Sequence, residues 1–182
     1  MTGFDFHSLP YRYGVGVCLF NTQGHVLVAE RRDKRGAWQM PQGGVQKGED
    51  PRRAVFREMK EEIGTNHACL VGRVSDSLFY EFPDWLQNRR LEPGGRVFHG
   101  KYRGQRQDWF ALKFLGCDQD IDLSGKNEPE SPEFIAWRWA ALQETPEMIV
   151  SFKRPVYDCV VKTFLPISEA LARGEDVPEL SF

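Results

Sequence analysis

Within "GGVQKGEDPRRAVFREMKEEIG", residues 43–64, three glutamates crowd together as Glu58, Glu61 and Glu62, with Glu49 close upstream. On a helix advancing ~100° per residue, the three fall within about a quarter to a third of the circumference. Like charges three and four residues apart repel, and no cation stands among positions 58, 61 and 62 themselves. A hard divalent cation such as Mg²⁺ would relieve the repulsion, because it takes oxygen ligands and bridges to phosphate. Gly43-Gly44 precedes the helix, and a backbone without side chains can turn a carbonyl toward the same ion. Arg57, four residues before Glu61, can pair with it or reach back to Glu49.

The elements around this cluster define its support. Asp50 suits an N-cap, Pro51 the first helical position, and Gly64 a left-handed stop. Val55, Phe56, Met59 and Ile63 fill the sector beside the glutamates, so one side of the helix enters a core while the next presents carboxylates. Upstream, "YGVGVCLF" (13–20) and "HVLVAE" (25–30) read as strands of a hairpin joined by "NTQG". "RRDKRGAWQMPQGG" is expected to be loop. "ACLVGRVSDSLFYEF" reads as one long strand or two, and residues 107–115 and "FIAWRWAAL" as further strands. Trp38 and Trp109 are expected in the core. Val156, Val160, Val161 and Phe164 follow helical spacing after Pro155. The 182 residues, with no repeat and no splitting linker, fit a single α/β domain with its core over about 11–165 and a mobile tail over 174–182.

Composition narrows the function further. A net charge of −2 gives no bulk attraction to nucleic acid or membrane, so any pull on an anion must be local. One such source is the segment from Arg89 to Arg106, where six basic residues face the single acid Glu92. No apolar run approaches a membrane span, and "MTGFDFHSLPYRYG" lacks the pattern of a signal peptide. The four cysteines and four histidines are scattered, which suggests neither zinc nor disulfides, and Cys18 in "VGVCLF" reads as a buried thiol. A reduced, cytoplasmic protein is the expectation.

The spacing from Gly43 through Glu49 and Arg57-Glu58 to Glu61-Glu62 and Gly64 resembles the signature of the Nudix hydrolases. Thr65 departs from the aliphatic residue usual at the end. The resemblance implies an α/β/α sandwich with a mixed sheet and a loop–helix–loop motif. It also implies hydrolysis of a nucleoside diphosphate linked to another group, assisted by Mg²⁺ or Mn²⁺, with more than one ion. Glu58, Glu61 and Glu62 would hold metal with the Gly43 carbonyl, and Glu133 would be a further ligand or a base. Glu61 or Glu58 would take the proton of the attacking water, with Arg57 beside them.

"YRYGVGVCLFN", "AWQMPQGGV", "GQRQDWFALKF", "PEFIAWRW" and "SFKRPVY" are similar, from about Tyr11 to Phe164, to one Nudix subgroup. That subgroup joins RNA pyrophosphohydrolases with asymmetric diadenosine tetraphosphate hydrolases. Arg12, Arg32, Lys153 and Arg154 are the implied cations for substrate, Arg103 of the basic segment joins them on charge alone, and Tyr80 and Phe152 are the candidate stacking faces. The expected partner is a nucleoside polyphosphate or an RNA 5′ end, with no duplex DNA and no membrane, handled by a monomer. A Nudix enzyme for ADP-ribose or oxidised nucleotides, and a non-catalytic nucleotide sensor, are the alternatives. Retention of Arg57, Glu58, Glu61 and Glu62 disfavours the sensor.

Overall fold

The computed structural model describes residues 6–84, 101–125 and 132–177. Five strands form the main path of one sheet: β1 (Tyr11–Phe20), β2 (Val26–Arg31), β3 (Trp38–Gln39), β5 (Ala68–Arg73) and β7 (Gly104–Phe114), in the order β3-β2-β1-β7-β5. Three more pair off this path: β4 (Gln42–Gly44) on β1, β6 (Leu78–Glu81) on β7 and β8 (Phe134–Ala140) on β2. β1 and β7 run parallel at the centre and the other pairs are antiparallel, so the sheet is mixed. The described α-helices are α1 (Pro51–Ile63), α2 (Thr145–Met148) and α3 (Arg154–Ala172).

Alternation on the central strands explains the layering. Val15, Val17, Leu19, Phe110 and Leu112 turn to one face and bury Ala54, Val55, Met59 and Ile63 of α1. Cys18, Phe20, Trp109 and Ala111 turn to the other and bury Val156, Tyr157, Val160 and Phe164 of α3. With both faces covered, β1 and β7 carry near-continuous apolar runs. Burying each such side chain contributes ~1.5–3 kcal/mol. The Trp109 ring lies flat against Gly16, where a Cβ would come within 2.3 Å of it.

Several expectations are corrected here. The segment after β2 is not all loop: β3 and β4 lie inside it, because Trp38–Gln39 pairs with β2 and Gln42–Gly44 with β1. "ACLVGRVSDSLFYEF" resolves into two strands, both paired with β7. Trp109 is fully buried, whereas Trp38 is half-buried, with the Arg138 guanidinium 5.0 Å from its ring centroid. Helix α3 packs as far as Leu171, past the expected end of the core. The basic segment between residues 85 and 100 and the tail from 178 lie outside the described residues.

Candidate active site

Helix α1 is fixed at both ends as its sequence predicts. Asp50 accepts a hydrogen bond from the Arg52 amide at 2.9 Å, and Gly64 closes the helix at φ 77°. Thr65 is buried, and its hydroxyl accepts from the His67 amide, a structural role.

Arg57 is the hub of the signature. Its Nε and Nη2 form a fork on Glu49, both at 2.8 Å, and Nη2 also donates to the Gly44 carbonyl. Nη1 donates to Glu58 at 2.8 Å and to Glu61 at 3.0 Å. The cluster is therefore compensated by a neighbour, contrary to the reading of positions 58, 61 and 62 alone. The Arg57 hydrogen bonds hold the Glu49 carboxyl below its ordinary pKa. Burial pushes Glu58 the other way, against the pull of Arg57. Glu62, nearly buried, accepts from the Gln42 amide at 3.0 Å. Glu61 is the most open of the four, its side chain 36% exposed against 10% for Glu58.

The glycines are dictated by these contacts. A Cβ on Gly43 would fall 1.8 Å from the Glu58 carboxyl group, and one on Gly14 would fall 2.5 Å from the Gly43 carbonyl oxygen. A Cβ on Gly44 would meet the Arg12 guanidinium at 2.4 Å, which places Arg12 directly under the signature loop.

A second set of residues forms around Arg31. Its guanidinium forks onto Asp33 at 2.8 and 2.7 Å and reaches Gln39 at 3.0 Å and Glu133 at 3.2 Å. Arg32 donates through Nε to the Pro132 carbonyl and through its amide to the Glu133 carbonyl, so it props the Glu133 loop. Lys153 is buried, 3.5 Å from Gln39, with its ammonium 5.4 Å from the Tyr80 ring centroid. Burial, with Arg31 close by, pushes Lys153 down to about 7, against the opposing pull of Glu133 and Glu62. Those two carboxylates therefore both act on Lys153, tying the Glu133 loop to the helix cluster.

Tyr80 is buried, which raises its pKa, and its ring meets that of half-buried Phe152 at 5.7 Å. Arg154 is exposed and forks onto Glu147. Arg103 lies apart from this set: it pairs with Glu81, donates to the His7 carbonyl and covers the Tyr11 ring. The residues brought together are thus Gly43, Arg57, Glu58, Glu61, Glu62, Arg12, Glu133, Tyr80, Phe152 and Lys153.

Sequence reasoning assigned no role to Arg31, Gln39, Gln42 and Gln107. Gln107 is 1% exposed and links Gln42, Gln105 and Trp109 through hydrogen bonds of 3.3, 2.9 and 3.2 Å. Buried glutamines in "AWQMPQGG" and "GQRQDW" carried a signal, since uncharged polar side chains in strands need partners.

The donor set suits a hard divalent cation in kind: four carboxylates with one guanidinium among them, beside a backbone turn. In the arrangement described, Glu58 and Glu61 close on Arg57. Among the described residues no three His, Cys, Asp or Glu side chains converge as a metal cage. Here too, no helix is long and apolar enough to cross a membrane.

A family model described as the NUDIX domain matches residues 10–159. The chain belongs to the Nudix family, whose members generally need a divalent metal such as Mg²⁺. Within it, the chain is 50% identical over 154 residues to an RNA pyrophosphohydrolase of Rhodospirillum rubrum, covering 85% of this chain and 87% of that protein. It is 44% identical over 173 residues to the RNA pyrophosphohydrolase of Gluconacetobacter diazotrophicus, covering 91% and 98%. The fold is similar to that of the E. coli dihydroneopterin triphosphate pyrophosphohydrolase, with a TM-score of 0.62 at 21% identity over 86% of this chain and 99% of that one. It is also similar to the C. elegans Ap4A hydrolase, with a TM-score of 0.55 at 18% identity over 85% and 98%.

Proposed function

We propose that this chain removes pyrophosphate from the 5′ end of triphosphorylated RNA in a reaction that depends on Mg²⁺ or Mn²⁺. The observation that carries the reading is the 50% identity to an RNA pyrophosphohydrolase over 85% of the chain. The site supplies matching chemistry. Glu58, Glu61 and Glu62 would hold metal, more than one ion, with the Gly43 carbonyl and with Glu133 from the facing loop. When bound, such ions polarise phosphoryl oxygens and acidify a water.

The protein's own residues do the rest. Arg57 holds Glu49, Glu58 and the Gly44 carbonyl in one frame, so the signature loop keeps its shape as substrate arrives. Glu61, the most open carboxylate, accepts the water's proton at a carboxylate oxygen. Arg12, beneath Gly44, and Lys153, beside Glu133, are the cations for the polyphosphate. Phe152 offers a partly open ring to the first base, backed by Tyr80.

The test compares specificity constants, with products identified, on a short triphosphorylated RNA, diadenosine tetraphosphate and ADP-ribose. The expected result is pyrophosphate from the RNA, with kcat/KM above that for either nucleotide by about tenfold or more. Preference for diadenosine tetraphosphate or ADP-ribose, or no pyrophosphate, would overturn the reading.

A further inference from the structure

Helix α1 covers its face of the sheet over Val15, Val17 and Leu19, but the sheet continues past it. There, Tyr13 of β1 stands opposite Arg106 of β7, and Arg106 opposite Phe79 of β6. The three side chains form one rung across neighbouring strands, on the same face as Val15. Phe79 is 52% exposed, and the exposed Arg106 holds its guanidinium carbon 4.2 Å from the Tyr13 ring centroid. On the next rung, Tyr11 meets Phe79 edge-on at 5.1 Å and carries Arg103 over its ring at 5.0 Å.

The rung is rigid and mixed in chemistry. Tyr13 is anchored by its hydroxyl, which donates to Asp108 at 2.6 Å, and Ser77 donates to the same carboxylate at 2.5 Å. The nearby acids are engaged: Asp108 by those two hydroxyls, and Glu81 by Arg103 and Tyr11. A polyphosphate alone has no use for rings. Flat rings interleaved with guanidiniums match single-stranded nucleic acid, whose bases stack and whose phosphates seek cations. Three strands ~4.8 Å apart give a platform ~10 Å wide, room for about two bases. The platform borders the active site, since the Val45 amide in the signature loop donates to the Tyr13 carbonyl at 3.3 Å.

We propose that this rung is a stacking platform for the single-stranded RNA downstream of the 5′ end, with Phe79 and the tyrosines taking bases and Arg106 a phosphate. The inference rests on the RNA reading of the active site. It also gives a place to part of the basic segment that the carboxylate site does not absorb.

The test is fluorescence anisotropy with a labelled 5′-hydroxyl ten-nucleotide RNA, a probe with no triphosphate and so independent of hydrolysis. Phe79→Ala should weaken binding about tenfold. Phe79→Trp should restore it, and Arg106→Gln should lower the slope of log affinity against log salt by about 1. Turnover of a triphosphorylated dinucleotide by Phe79→Ala should equal that of the parent. Equal binding by Phe79→Ala and parent overturns the platform, as does a parent that does not bind the RNA. So does a Phe79→Ala defect as large on the dinucleotide as on the long RNA, because Phe79 would then act through the fold. Failure of the RNA reading itself shows differently, as a parent that binds the oligonucleotide yet releases no pyrophosphate.

Discussion

Lys153 is the site cation that burial moves into the neutral range. Buried near Arg31, it titrates at about 7, so its charge is lost as pH rises through neutrality. If it grips the polyphosphate, the parent loses affinity over that range, while Lys153→Arg, charged throughout, does not. The ratio of kcat/KM for parent over Lys153→Arg should therefore fall between about pH 6 and about pH 8, following the free-enzyme titration. A ratio that stays flat across that range would contradict the assignment. Glu58, Glu61, Glu62, Arg57 and Gly43 were readable because a fixed spacing on one helix places them without knowledge of the rest of the fold. Arg31 and Gln39 were not, because their partners Glu133 and Lys153 lie about a hundred residues away, and only the sheet brings them together. Arg103 was read with the substrate cations on charge alone, and the register of β7 sends it to Glu81 and Tyr11.

Among the elements, the hairpin-like contact of β4 with β1 positions the chemistry. Two glycines there face different obstacles, which separates stability from activity. At Gly43 the obstacle is the end of the flexible Glu58 side chain; at Gly14 it is the backbone carbonyl of Gly43. Gly43→Ala should displace the Glu58 carboxylate, lowering turnover by about tenfold or more at little cost to stability. Gly14→Ala must move backbone and should cost ~1–3 kcal/mol in denaturant unfolding. Comparable destabilisation by both, with activity intact in Gly43→Ala, would refute this division. Element boundaries were legible where caps mark them, as with Asp50 and Gly64. β3 and β4 escaped because they are two and three residues long and formed by pairing, not by propensity.

The whole molecule is a mixed sheet between helices that projects one helix's carboxylates toward a loop supplied by the strand β8 side. Helices α1 and α3 bury apolar stripes on opposite sheet faces, so α1 is held by those stripes while its most open carboxylate, Glu61, stands outside the core. That separation lets charge be removed from the site without unfolding the protein. The decisive measurement is pyrophosphate release from a triphosphorylated oligonucleotide by Glu61→Gln at saturating Mg²⁺, with the melting temperature measured alongside. An unchanged melt and a rate lower by about a hundredfold or more are the expected result. Near-parental release by the folded variant would contradict it.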